Sequence, residues 1–209
     1  MKIDFHVHTQ WSHDAFGNLF EISKWARFKG IDVVVVTDHG RVTLSRPEVI
    51  NSVKFIPGIE INTIYGHVLG IDIQDTLNIK FMRESPIDAI HETGGISVLA
   101  HPFDIHHGKI PRRSMKIDAI EVLNASVLLF KFNYRQSRAY AKMLGLPVTA
   151  GSDSHMPLTV GDAFVEVEGS DFNDAMRSII KGKGRVYGKP TSIMNKVKLN
   201  LLRLTKSKL

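Results

Sequence analysis

With 209 residues, 43% of them apolar, the chain carries enough hydrophobic material for one domain with a sizeable core, and nothing in its composition suggests disorder. The absence of cysteine excludes disulfides and thiolate metal sites, so soft-metal chemistry is left to histidine and carboxylate; no apolar run approaches the length of a membrane span, and a soluble, cytoplasmic protein is expected. The net charge of +6 resides in residues 189–209, which hold Lys189, Lys196, Lys198, Arg203, Lys206 and Lys208 and no acid, so the other 188 residues sum to zero; the body is not basic, and any electrostatic attraction to polyanions would come from the tail.

The opening segment, Lys2-Ile3-Asp4-Phe5-His6-Val7-His8-Thr9, reads as a first strand over 3–7. Side chains two apart share a strand face, so His6 and His8 project together at its end, where two imidazoles can grip one metal ion. Residues 19–29 form an amphipathic helix that stops at Gly30, and 31–37 is the near-continuous apolar run of a strand buried on both faces, with Asp38-His39-Gly40 at its end. A third strand at 53–59 carries Glu60 just past its end, and a fourth covers 67–71. Helix returns at 86–93, with Pro86 in the first turn and Gly94-Gly95 ending it, and a fifth strand at 96–100 terminates in His101-Pro102. A sixth strand at 118–123 and a helix at 127–144 lead through Gly145 to the seventh, 147–150, which delivers Gly151-Ser152-Asp153-Ser154-His155. A strand at 163–167, a helix at 171–181, a short strand at 185–187 and a basic helix close the chain.

Repeated strand–helix alternation predicts an α/β protein, and about seven strands in this length suit a small, irregular barrel of the TIM type, with a doubly wound open sheet as the alternative. His6, His8, His39, Glu60, His101, Asp153 and His155 all fall at or just beyond the C-terminal ends of the expected strands, the face on which such barrels build their sites.

Seven segments in order make the pattern specific: Asp4-Phe5-His6-Val7-His8-Thr9 with Ser12 and Asp14, Thr37-Asp38-His39, Pro57-Gly58-Ile59-Glu60, His67-Val68-Leu69-Gly70, Ala100-His101-Pro102, Ile120-Glu121-Val122-Leu123-Asn124, and Gly151-Ser152-Asp153-Ser154-His155. In these the chain resembles the PHP (polymerase and histidinol phosphatase) metallophosphoesterases. The resemblance implies a distorted seven-stranded TIM-like (βα)7 barrel over residues 1–190 with two or three divalent ions, zinc, manganese or iron. Residues 191–209 would be a basic C-terminal helix packed on the barrel or extending from it. It further implies that His6, His8 and Asp153 hold a first ion, that Glu60 bridges it to a second completed by His67 and His101, and that Asp14, His39 and His155 form a third site. Asp14 stands where some relatives have histidine. His6, His8, Glu60 and Asp153 are thereby the expected catalytic core.

Cations near the expected strand ends are candidates to receive a phosphate: Arg41, and a loop holding His106, Lys109, Arg112 and Arg113, for which a merely solvated basic loop is the competing reading. His13 and His91 read as surface or packing residues and Arg135 and Arg138 as helix decoration, while Asp38, Glu121 and Asn124 are expected to support the ligands or the substrate.

Under the implied ligand set, three carboxylates and one hydroxide set against three divalent ions leave a net charge of roughly +2, which suits a phosphate better than a neutral amide. The expected activity is hydrolysis of phosphoesters by a metal-activated water, as a phosphatase or phosphodiesterase acting on nucleotides or short nucleic acids. Only thirty residues separate Gly70 from His101, too few for the helical cap that some nucleotide phosphatase relatives insert there. A phosphatase of the histidinol phosphate type, a non-catalytic RNA- or protein-binding barrel, and an amidohydrolase are the alternatives; the last would place a lysine near the ions, and no lysine ends a core strand. In the tail, Ile193, Val197, Leu201 and Leu204 share one helical face, which suggests a closing helix docked on the barrel.

Overall fold

The computed structural model describes residues 1–64, 66–73, 85–105 and 116–206. β1 (Lys2–Val7) enters the core directly, and α1 (Leu19–Phe28) follows it behind a capping box in which Asn18 and Glu21 satisfy each other's backbone amides. In β2 (Val33–Val36) all four valines are buried, as expected for a strand covered on both faces. Val33 and Val35 join Ile3 and Phe5 in the main core, while Val34 and Val36 pack with Ile22 and Ala26 of α1.

β3 (Glu48–Ile50) is a short strand that the sequence reading passes over, exposed and antiparallel to β4 (Val53–Thr63). β4 runs four residues beyond its expected end, so Glu60 lies inside the strand and not past it. β5 (Gly66–Ile71) pairs with it antiparallel, Asn62 opposite His67. Only two residues separate Thr63 from Gly66, whereas a parallel neighbour needs a crossover of a dozen or more. The consequence for the site is direct: because β5 runs backwards, its entrance, with His67, lies at the end where β4 carries Glu60.

α2 (Pro86–Glu92) leads into β6 (Ile96–Leu99), which pairs antiparallel with β5. β7 (Ala119–Asn124), α3 (Phe130–Leu144) and β8 (Val148–Gly151) continue in parallel, with Gly145 at φ 68° ending α3. β9 (Ala163–Glu166), α4 (Phe172–Ile180) and β10 (Arg185–Gly188) complete the sheet.

The strand order is β10-β9-β1-β2-β4-β5-β6-β7-β8, with β3 off this path on β4. A parallel bridge between Val7 and Ser154, with the His8 amide donating to the Ser154 carbonyl at 2.9 Å, brings the chain after β8 back to the end of β1 and nearly closes the sheet into a barrel. An open doubly wound sheet is therefore not what forms. Nor is a regular series of seven βα units: the described residues contain ten strands, and the β4-β5-β6 turn of the wall is antiparallel.

The C-terminal helix α5 (Ile193–Lys206) lies against the barrel, but not by its apolar stripe. Ile193, Val197, Leu201 and Leu204 face solvent, and the half-buried side holds Lys196, Leu199, Leu202 and Arg203. The Lys196 ammonium donates to the carbonyls of Ser126 and Val127 at 2.8 and 3.2 Å, and Arg203 grips Asp14. Among the described residues no helix is long and apolar enough to cross a membrane.

Candidate metal centre

Alternation along β1 puts Asp4, His6 and His8 on one face, and all three are buried. Asp4 lies deepest. It accepts the Ser152 amide and hydroxyl at 2.8 and 2.6 Å and the Gly161 amide at 2.8 Å, tying β1 to the segment that delivers Asp153. Burial pushes its carboxyl up to about 6 against the lowering pull of those hydrogen bonds. This support is readable in the sequence only as the third member of the 4, 6, 8 alternation.

The two imidazoles meet at 3.1 Å between their Nε2 atoms. His6 Nδ1 is 3.1 Å from Glu121 Oε1, and His8 Nδ1 is 3.3 Å from the Ser12 hydroxyl, which donates to Asp38 at 2.6 Å. Protons held at the two Nδ1 atoms leave both Nε2 lone pairs facing one point, an arrangement that a cation relieves. Asp38 also takes bonds from the amide and hydroxyl of Thr9 and the hydroxyl of Thr43, so it braces the loop after β1.

Glu60 is the hub. Its Oε1 is 2.8 Å from His67 Nδ1 and 3.5 Å from the Nε2 of both His6 and His101; its Oε2 is 2.9 Å from His39 Nδ1 and 3.4 Å from His8 Nε2. Burial alone would raise this carboxyl, but His6 foremost, with His101 and His39, holds it well below the usual range. Asp153 Oδ1 sits 3.4 to 3.6 Å from His6, His8 and His155, and is likewise lowered against burial by those imidazoles. Asp14 stands 3.3 Å from His39 and 3.2 Å from His155. Burial works to lower the pKa of His39, yet Asp14 and Glu60 together raise it to about 10; His8, by contrast, is pushed down to about 4 by burial and the neighbouring His155.

Two of these residues occupy strained backbone, His101 at φ 29° and Asp153 at φ 51°. Such conformations cost about 1–3 kcal/mol each and persist where the surroundings over-determine them. Glu121 supplies that restraint for His101 by accepting its amide at 2.9 Å, and Asn124 donates to both Glu121 and Asp153.

All nine expected ligands therefore converge. Ligand atoms of His6, His8 and Glu60, of His8, His39 and His155, and of Glu60, His67 and His101 each lie within 4.8 Å of one another. Buried imidazoles interleaved with ionised carboxylates are a donor set that fits divalent cations such as zinc, manganese or iron. Seven of the nine, all but the deeper His6 and His8, line a cleft of about 600 Å³.

Other expectations fare differently. Arg41 is not at the cleft: it donates to the Trp11 carbonyl and stacks over that ring, 5.4 Å from its centroid. His106, Lys109, Arg112 and Arg113 lie outside the described residues. His91 bonds Asp118 and Ser97 on the far side of β6, a packing role as expected, whereas His13 lines the cleft rim. Asn62, Asp104 and Arg203 also line it without having been singled out. Arg203 carries no local motif, being brought 189 residues back to Asp14 by the fold.

Residues 132–183 match a family model described as PHP-associated. An uncharacterised protein of Methanocaldococcus jannaschii is 30% identical over 141 residues, 60% of this chain and 82% of that one. A protein of Acetivibrio thermocellus named a probable phosphatase is 26% identical over 196 residues, 76% and 81% of the two chains. Among solved structures, PsfC from Pseudomonas syringae superposes with a TM-score of 0.71 at 20% identity, covering 98% of each chain. A two-domain protein from Bacteroides vulgatus, described as containing a predicted PHP-like metal-dependent phosphoesterase, does so at 0.65 and 16% identity over 90% of this chain and 65% of that one. With these likenesses joined to the order of motifs from Asp4 to His155, the chain belongs to the PHP family.

Proposed function

We propose that the protein is a metal-dependent phosphoesterase, a phosphatase or phosphodiesterase acting on nucleotides or short nucleic acids. The observation that carries the reading is one buried carboxylate, Glu60, ringed by five histidines within 3.5 Å at the floor of an open cleft. The relative named a probable phosphatase and the neighbour described as a PHP-like phosphoesterase support hydrolysis of phosphoester bonds.

His6, His8 and Asp153 would hold one ion, Glu60 would bridge to a second with His67 and His101, and Asp14, His39 and His155 would hold a third. Bound there, the ions supply an activated water near neutral pH and positive charge for the phosphoryl group. The chain's own share is orientation: Glu121 and Ser12 keep the Nε2 atoms of His6 and His8 turned inward, and Asp38 fixes Ser12. Burial of Glu60, His6 and His8 keeps bulk water off the ligands. His13 lines the cleft outside the ligand set and would be one candidate to protonate the leaving group.

The test is turnover after reconstitution with zinc, manganese or iron on phosphomonoesters, cyclic and linear dinucleotides, short oligonucleotides and histidinol phosphate, beside Asp153→Asn and His8→Ala. Activity that vanishes in both variants is expected. No turnover on any substrate, together with failure to take up metal, refutes the proposal.

A further inference from the structure

The reading of the site as a phosphoesterase leaves open what recognises the phosphoryl group. Metal ligands hold ions, and the cleft is lined by four carboxylates, Asp14, Glu60, Asp104 and Asp153, so an incoming phosphate needs a cation to engage it. Among the described residues lining the cleft, Arg203 is the sole arginine or lysine. Arg41, the described alternative, is drawn away to Trp11.

Arg203 reaches the cleft from α5. Its Nε donates to the Asp14 carbonyl at 3.0 Å and its Nη2 to Asp14 Oδ2 at 2.7 Å, while Lys196, two turns earlier on the same face, pins the helix. Asp14 Oδ2 is also the atom 3.2 Å from His155. The guanidinium thus occupies the position next to the candidate third-ion ligands. Once a cation is held by Asp14, His39 and His155, it competes with Arg203 for that oxygen and repels it, and an anion between the two positive groups resolves the conflict. A guanidinium presents paired N–H donors that match two phosphate oxygens in a fork.

Resting on the phosphoesterase reading, we infer that Arg203 is the substrate-binding residue of this site: it takes the terminal phosphoryl group of a phosphomonoester in a bidentate grip opposite the metal centre, and so selects monoesters over diesters. A terminal phosphoryl group has three non-bridging oxygens, enough for the ions and for Arg203 together. A diester has two, and cannot supply both without loss. Arg203 lines a cleft of about 600 Å³, room for a nucleotide-sized molecule.

The experiment uses the full chain loaded with manganese. Binding of inorganic phosphate is measured by calorimetry, and KM and kcat are measured on p-nitrophenyl phosphate and bis(p-nitrophenyl) phosphate, for wild type, Arg203→Ala, Arg203→Lys and Lys198→Ala, with bound metal counted in each. Arg203→Ala is expected to weaken phosphate binding and raise the monoester KM about tenfold or more, with diester KM and metal content changed less than about twofold. Arg203→Lys, which keeps the charge but not the fork, falls between. Lys198, an exposed cation on the same helix, is expected to matter to neither. Phosphate affinity unchanged in Arg203→Ala overturns the inference, and so does a fall in metal content with unchanged affinity per loaded site, which would make Arg203 only a positioning residue for Asp14. Wild type that binds no phosphate and hydrolyses no ester overturns the phosphoesterase reading itself, a result separate from either.

Discussion

The isosteric substitution Glu121→Gln tests the orienting role of a carboxylate outside the nine expected ligands, although one of its oxygens lies within 4.8 Å of ligand atoms of His6 and His101. Glu121 is fully buried. Its Oε1 faces His6 Nδ1 at 3.1 Å, and its Oε2 accepts two donors, the His101 amide and the Asn124 side chain, both at 2.9 Å. Glutamine has one oxygen and one NH₂, so one of those positions must become a donor. With NH₂ at the second position, two buried donors lose their acceptor, at about 1–3 kcal/mol each. With NH₂ at the first, only His6 is affected, and it adapts by moving its proton from Nδ1 to Nε2. The second outcome is cheaper and sets the result: the nitrogen that faces His8 and the cleft then carries a proton and cannot take a cation. Loss of such an orienting partner weakens metal binding by about 10- to 100-fold, or about 1.4–2.7 kcal/mol. The assay is a metal titration followed by calorimetry, with urea unfolding of the metal-free protein alongside. The expected pattern is a weakened first site with the metal-free fold nearly intact. Unchanged metal affinity would refute the tautomer argument, and a collapse of the metal-free fold would show that glutamine took the other orientation.

Two further outcomes follow from the same geometry. A Cβ on Gly151 would lie 2.3 Å from His6 Cβ, 2.8 Å from His6 N and 2.7 Å from Glu121 Oε1, so Gly151→Ala must push β8 off β1; a loss of about 3 kcal/mol in urea unfolding and weaker metal uptake are expected, and a loss below about 1 kcal/mol would contradict the close approach. For pH, His39 has its pKa raised from 6.5 to about 10 in the metal-free protein, so its contribution to stability is full below pH 6.5 and declines as pH rises toward 10; cation binding at pH 8 must expel that proton, and calorimetry in buffers of different ionisation heat should count at least one released per protein, whereas a buffer-independent heat would sink the assignment.

How far the sequence is legible depends on whether the decisive contact is local. The four valines of β2 announce a strand buried on both sides, because burial on both faces removes any need for alternation. His6, His8, Asp153 and His155 are legible for a related reason: strand ends on one face of an α/β sheet converge whatever the details of the wall. Glu60 and His67 required the wall itself. Their meeting rests on a two-residue gap between Thr63 and Gly66 that forces an antiparallel return, and a strand count alone assigns β5 the wrong direction. β3 escapes notice because Glu48 and Val49 are exposed and only three residues pair, too few for alternation to register.

The C-terminal helix shows where patterning is overruled. An apolar stripe of Ile193, Val197, Leu201 and Leu204 predicts that face inward, yet Val197 is 52% and Leu201 60% exposed. The surface on which α5 lands explains the inversion. It is not an apolar groove but the rim of the cleft, where the carbonyls of Ser126 and Val127 and the carboxylate of Asp14 would lie partly buried and unmatched without cations. Leaving such acceptors unpaired costs about 1–3 kcal/mol each, more for a charged group, and an apolar stripe offers them no donor. Lys196 and Arg203, seven residues apart and so on one helical face, answer them together. The position of the helix is thereby coupled to the site through a single oxygen, Asp14 Oδ2, which lies against Arg203 on one side and His155 on the other. Whatever claims that oxygen, a cation among the histidines or the guanidinium from α5, alters the hold of the other.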